Sequence, residues 1–356
     1  MLHRYSAILL VLCTIFFATL EVGERYVIPR ITAMDARLDR EHARAEELRP
    51  IPGKPAPVLI VGNSLLKKGV VIPLLNEQMG PEYTVTRYVV EDTNYLDWYY
   101  GLRRLFRAGA RPKAVILVLN ARQLISPEVH GDAFASLLMD VRDLMDVKRT
   151  VGSDNTATSN LLFANLSRYY GMRSEIHKAI LVHLLPEFPS LAVKLRPATA
   201  PLPPDDDIET KAAERLSQMS RLCGQNGSQF ILVVPPSAAT RDGSSAIESA
   251  GNRAAVQVLV PFRPQELPNN LYADGFHLNY RGSLVFTQAL SSGLRKTLNN
   301  DKFTQAAGSD DGTVNSAGVV IGGTTESMKA EDPSVCNSGS DDRNKLCAGS
   351  VWQSGQ

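Results

Sequence analysis

Three short, unbroken apolar runs set the terms for this chain: VLIVG at 58–62, KAVILVL at 113–119 and FILVV at 230–234. Runs of this length are too short for membrane helices and suit strands buried on both faces of a parallel sheet. The segments between them carry helical spacing. Residues 69–79 read as a helix, Tyr83–Val90 as a β-rich strand, and 95–108 as a helix with Leu96, Tyr99, Leu102 and Phe106 on one face. Strand, helix, strand, helix, strand in this order predicts a parallel sheet covered by helices on both sides. The alternation stops at about 126–205, where helical stretches at Ala133–Val147 and Asn160–Leu185 precede a proline-rich segment, PATAPLPP. This stretch reads as a helical insertion. The alternation then resumes with a helix at 207–224 led by the acidic Asp205–Asp207, the FILVV strand, a weaker strand at Ala255–Val260 and a last helix at 281–298.

The ends of the chain are different in kind. Ser6–Leu20 is nearly all apolar and follows His3 and Arg4. No small-x-small cleavage site follows, so residues 1–23 read as an uncleaved signal anchor rather than a removed signal peptide. Arg25, Arg30, Arg37 and Arg40 after the run argue against export, but a short N-tail before a long domain argues for it. The main domain is expected outside the cytoplasm. Residues 24–56 read as a stalk and linker: a polar helix at 31–48 without a wide apolar face, then Pro50, Pro52, Pro55 and Pro57. From 299 to 356 the chain is rich in Gly, Ser, Asp and Thr and reads as disordered. The 356 residues are 44% hydrophobic with a net charge of +1, which gives no reason to expect a nucleic-acid partner. Cys13 lies in the apolar run and Cys223 stands alone, so there is no disulfide framework or zinc spacing. Cys336 and Cys347 either close a small loop in the tail or remain free thiols.

Two features carry chemistry. Gly62-Asn63-Ser64 ends the first apolar run and precedes a helix. A serine there sits at the carboxyl end of a parallel strand, where such sheets place their sites. It also lies near helix amides able to stabilise an oxyanion. An ordinary N-cap serine explains the tripeptide equally simply. The second feature is Tyr272-Ala273-Asp274-Gly275-Phe276-His277-Leu278-Asn279, before the last helix. A carboxylate three residues before an imidazole can fix its tautomer and favour its charged form as it takes a serine proton. The other histidines fall in the apolar leader (His3), the stalk (His42) or the insertion (His130, His177, His183).

Together these blocks resemble the SGNH (GDSL-type) hydrolase superfamily, over about residues 57–298. Gly62-Asn63-Ser64 resembles its Gly-Asp-Ser block and Asp274-Gly-Phe-His277 its Asp-x-x-His block, in the same order. A third block, Gly-x-Asn-Asp, is reduced here to Asn120 after the KAVILVL strand. The second block should place a glycine within Glu91-Asp92-Thr93-Asn94, where there is none. The resemblance implies a three-layer α/β/α domain with a parallel, flavodoxin-like sheet and no cofactor or metal. It implies Ser64 as nucleophile, His277 as base and Asp274 as orienting acid. The oxyanion would be held by the Ser64 amide, Asn120 and a donor from Asp92 or Asn94. The anchor and insertion are similar to those of membrane-tethered members that acylate or deacylate envelope polysaccharides. The implied substrate is an acylated carbohydrate or other ester, with envelope proteins as partners.

Other clusters have simpler readings. Asp140, Asp143 and Asp146 are spaced for one helical face and, beside Arg142 and Lys148, read as solvated rather than metal-binding. Tyr95, Trp98, Tyr99 and Tyr100 suit core packing better than a sugar platform. Lys67 and Lys68 could meet an anionic substrate but read as solvated. A non-catalytic SGNH-like binding or scaffold protein is the competing reading, favoured by the incomplete second and third blocks. A phosphate-cradling flavodoxin-like module is disfavoured because Asn63-Ser64-Leu65-Leu66-Lys67 lacks glycine.

Overall fold

The computed structural model describes residues 2–31, 33–185, 187 and 201–307. Five strands form one sheet in the order β2-β1-β3-β4-β5: β1 Ala56–Gly62, β2 Tyr83–Val89, β3 Ala114–Val118, β4 Gln229–Val233 and β5 Gln257–Leu259. Every pairing is parallel. The apolar runs are the buried strands: Val58–Val61, Ala114–Val118 and Phe230–Val233 are almost wholly inaccessible.

Because successive side chains point to opposite faces, each strand feeds two cores. One holds Leu59, Val61, Val115, Leu117 and Leu232 with the buried faces of α5 (Tyr95–Arg107) and α11 (Asp205–Gly224). The other holds Val58, Ile60, Ile116 and Ile231 with Phe286, Leu290, Leu294 and Leu298 of α13 (Tyr280–Ala307). The result is the α/β architecture with helices on both faces of a parallel sheet.

The chain order puts β2 on one side of β1 and β3 on the other. The connection after β1 runs to one side of the sheet and that after β3 to the other, and such a switch point is the usual ligand position in parallel sheets.

Several expectations are corrected. The helix expected at 69–79 is α4 (Ile72–Met79), beginning at 72 with Pro73 in its first turn; a separate short helix, α3 (Ser64–Gly69), precedes it, with Val70 and Val71 extended between them. Ala133–Val147 is not one helix. Met139 N closes α7 (Gly131–Leu137) on Phe134 O, and Asp140 caps a short 3₁₀ turn before α8 (Leu144–Val151). Likewise α9 (Asn155–Leu166) and α10 (Arg168–Leu184) are separated at Ser167, whose side chain caps Tyr170 N. α12 (Ser244–Ala254) has no counterpart in the sequence reading. The last helix continues through Ala307 where a tail was expected from 299. Residues 308–356, with Cys336 and Cys347, and residues 188–200 lie outside the described residues.

The solvated stalk is also corrected. α2 (Ala33–Glu46) lies against β2, with Leu38, Glu41 and Ala45 buried. Glu41 is the anchor: its carboxylate accepts from Val89 N at 2.8 Å, Arg87 Nη2 at 2.8 Å and Arg37 Nη1 at 3.3 Å. A buried carboxylate is tolerated because charged and backbone donors surround it.

α1 (Leu2–Ile31) contains Tyr5–Gly23, 19 residues of mean hydropathy 2.1, with none of its apolar length buried. At 1.5 Å per residue this stretch covers ~28 Å, close to a bilayer's hydrocarbon thickness. By length and composition it can cross a membrane, and a signal sequence shares those properties.

Candidate active site

β1 ends on Gly62 because nothing larger fits. A Cβ there would sit 2.8 Å from Val118 O on the neighbouring strand. Asn63 follows, fully buried, and its carboxamide is used at both ends. Oδ1 accepts from Leu65 N at 3.1 Å, which caps α3, while Nδ2 donates to Thr93 O at 2.8 Å. An aspartate here could perform the first task but not the second, since an ionised carboxylate has no donor. Asparagine is therefore the residue that both starts the helix and fastens the turn after β2. The cap leaves Ser64 as the first residue of α3, partly exposed at the carboxyl edge of the sheet.

The loop before α13 is built to bring an imidazole to that point. Tyr272 and Leu278 pair as an antiparallel bridge, and Ala273 N donates to His277 O at 2.8 Å. Gly275, with φ +74, makes the turn inside this loop. Asp274 Oδ1 accepts from His277 N at 2.6 Å and Phe276 N at 3.0 Å. Its Oδ2 lies 2.7 Å from His277 Nδ1, and His277 Nε2 lies 3.0 Å from Ser64 Oγ. Partial burial pushes the Asp274 carboxyl up. The hydrogen bond from the His277 ring and those from the two amides outweigh it and hold the group down at about 2. An ionised Asp274 accepts from Nδ1–H, so Nε2 faces the serine as the acceptor nitrogen. Serine, imidazole and carboxylate form one hydrogen-bonded chain across 213 residues of sequence.

The expected oxyanion donors surround the same strand ends. β1 and β3 pair through Gly62 and Val118, which sets Asn120 at the end of the strand beside the serine turn. Asn120 is the N-cap of α6 (Ala121–Ile125), its Oδ1 accepting from Gln123 N at 3.0 Å. That leaves Nδ2 as the donor end of the amide. Asp92, in the turn after β2, has φ +59, the left-handed conformation glycine normally supplies. Aspartate is one of the few other residues that tolerate it. Asn94 is the N-cap of α5, with Asn94 N donating to Asp97 Oδ2 at 2.7 Å.

Asp97 itself escaped the sequence reading. It is fully buried and accepts only from amides, Asn94 N and His130 N at 2.7 Å each. Burial raises its carboxyl to about 7, the amide hydrogen bonds pulling the other way. It joins the turn after β2 to the beginning of the insertion. Trp98 Nε1 donates to Thr93 Oγ1 at 2.9 Å and braces that turn from behind.

A cavity of about 500 Å³ opens beside the serine turn. Leu65, Asn120, Leu202, Pro235, Pro236 and Phe276 are among its walls. Phe276 meets the His277 ring edge-on at 5.0 Å. The walls from 201–202 and 235–236 were not anticipated; the proline pair directly after the FILVV strand was the available signal.

The remaining clusters resolve structurally. Asp143 is buried against Arg103 (2.8 Å) and Arg107 (2.6 Å), with Asp146 and Asp140 completing the ion pairs. The triplet thus clamps the insertion to α5 instead of facing solvent. Tyr95, Trp98 and Tyr100 are core residues. Lys67 is ion-paired with Glu91. Among the described residues, no group of three His, Cys, Asp or Glu side chains is placed to hold a metal ion.

No family model matches the chain, and no curated protein matches it. Among solved structures, TesA is similar with a TM-score of 0.35 and 12% identity, covering 68% of this chain and 99% of its own. Axe2, an acetylxylan esterase from Geobacillus stearothermophilus solved as a catalytic mutant, has a TM-score of 0.36 and 10% identity over 68% of this chain and 94% of its own. LAE5, an alpha/beta hydrolase enzyme from the metagenome of Lake Arreo, Spain, has a TM-score of 0.36 and 10% identity over 67% and 94%. Similarities of this degree leave the chemistry to be read from the residues of this chain.

Proposed function

We propose that this protein is a serine-dependent acyl-ester hydrolase or O-acyltransferase, acting outside the cytoplasm on an acylated envelope polysaccharide or a similar ester. The supporting observation is the Ser64–His277–Asp274 chain, at 3.0 and 2.7 Å, at the carboxyl edge of a parallel sheet. In this reading Ser64 Oγ attacks the acyl carbonyl while His277 Nε2 takes its proton, and Asp274 stabilises the imidazolium. The Ser64 amide, Asn120 Nδ2 and the Asp92 turn supply donors to the oxyanion. His277 then returns the proton to the leaving alcohol. Water completes hydrolysis, and a sugar hydroxyl completes transfer. The polymer as substrate rests on the apolar N-terminal helix together with the open crevice. The absent block-two glycine favours a non-catalytic scaffold, but the left-handed backbone at Asp92 offers a bend of the kind a glycine would make, which weakens that objection.

The test is hydrolysis of an aryl acetate by the full chain beside Ser64→Ala and His277→Ala, with fluorophosphonate labelling. Hydrolysis and labelling of Ser64, both lost in the variants by at least ~10³-fold, support the enzyme. No turnover and no labelling in the unaltered chain would leave the scaffold reading in its place.

A further inference from the structure

The last turn of the apolar stretch of α1 is bonded to the insertion. Glu21, two residues before the end of the apolar stretch, accepts from Ser167 Oγ at 2.9 Å and from Arg168 N at 3.1 Å. These donors are the cap and first residue of α10, where unpaired amides and the helix dipole favour a carboxylate. Glu21 therefore ties the α9–α10 junction to the level at which α1 stops being apolar.

Apolar side chains are exposed at that junction. Leu166 is 67% exposed and Phe163 55%, on the last turn of α9. Ile180, Leu184 and Leu185, at the far end of α10, are also exposed. A soluble domain rarely gathers exposed apolar residues in this way without a partner. The first two turns of α10 add Arg168, Tyr169, Tyr170 and Arg173, the Arg173 guanidinium lying 3.7 Å over the Tyr170 ring and pairing with Asp132 at 2.9 Å. Aromatic and arginine side chains beside exposed apolar ones suit a headgroup boundary.

We infer that the α9–α10 corner is a second membrane contact, seated in the lipid interface of the same bilayer that α1 enters. This rests on reading α1 as a membrane anchor. The occupant is lipid because the junction is fastened to the end of the span itself, so any bilayer around Tyr5–Gly23 brings its surface to Leu166 and Phe163.

The experiment places the photo-crosslinking residue p-benzoylphenylalanine singly at Phe17, Phe163, Leu166 or Ile51 in the full chain, in phosphatidylcholine–phosphatidylglycerol vesicles. Adducts are identified by mass. Lipid adducts at 163 and 166, in yield comparable to 17 and well above Ile51, are expected. Glu21→Ala should lower the yield at 166 and leave that at 17 unchanged. Lipid adducts at 17 with none at 163 and 166, or peptide adducts there instead, overturn the second contact while keeping the anchor. No lipid adduct at 17 overturns the anchor and the inference together.

Discussion

Asn63 shows how much of the site depends on one atom. Its Nδ2 is the donor that Thr93 O requires, so Asn63→Asp keeps the cap of α3 but sets a carboxylate against a buried carbonyl. Loss of a buried bond of this kind costs ~1–3 kcal/mol, and urea unfolding of Asn63→Asp should show it. Asp92 gives a prediction of two signs. At φ +59, Asp92→Gly should leave stability unchanged or slightly raised, whereas Asp92→Val should lose about 1–2 kcal/mol to left-handed strain. Thermal unfolding of the pair checks it. Asp97 and Asp274 are shifted in opposite directions. The buried Asp97 holds a proton that the unfolded chain releases, so its contribution to stability is full below about pH 4 and is lost as pH rises toward 7. Unfolding midpoints between those values should fall in the native chain and lose that slope in Asp97→Asn. Asp274 is depressed, so its contribution holds above about pH 4 and fades as pH falls toward 2. Half of its side chain is exposed, which keeps that second effect small.

At the scale of elements, α2 makes the sharpest departure from sequence pattern. Its buried face is Leu38, Glu41 and Ala45, narrow and interrupted by a charge, so hydropathy reads it as solvated. What docks it is polar: Glu41 takes the last amide of β2 and two arginines. Glu41→Ala should lower the unfolding free energy by about 2–3 kcal/mol, measured by the urea midpoint at unchanged m-value. The strands and α5 were legible because buried runs and helical spacing are local signals. Ser64, Asp274 and His277 were legible for the same reason, each lying in a short block. α12 was not, because its apolar positions are alanines and one isoleucine behind a glycine, a pattern with little periodicity. Helix breaks at Ser167 and Asp140 depend on side-chain caps that compete with simple continuation. The roles of Asn63 and Asp97 depend on partners 30 and 33 residues away, which no local pattern reveals.

For the whole molecule, the notable point is that the insertion gives the cavity a wall at Leu202 but supplies none of the residues of the hydrogen-bonded chain. All of residues 126–205 lie between β3 and β4, while serine, imidazole, carboxylate and Asn120 come from the strand ends and the final loop. The insertion is fastened instead to α5 and the core: the amide of His130 donates to Asp97, Arg103 and Arg107 pair with Asp143, Arg104 donates to the carbonyls of Leu137 and Met139, and Phe134, Leu138 and Met139 are buried in the core. The insertion is thus separate in chain order from the residues of the hydrogen-bonded chain.

α13 has a further consequence for how the molecule comes into being. Ser64 belongs to the first strand turn to be synthesised, and His277 to the loop before the last helix. Phe286, Leu290, Leu294 and Leu298 of that helix share one face of the sheet with Leu66, Leu75 and Met79 of α3 and α4. During translation every strand leaves the ribosome before the sheet can be closed on that side. The nascent chain therefore carries Ser64 for most of its synthesis without its imidazole partner, and part of one sheet face uncovered until the end. The helix that completes that face follows the imidazole directly, so any product ending before residue 277 lacks both the His277–Ser64 hydrogen bond and that cover.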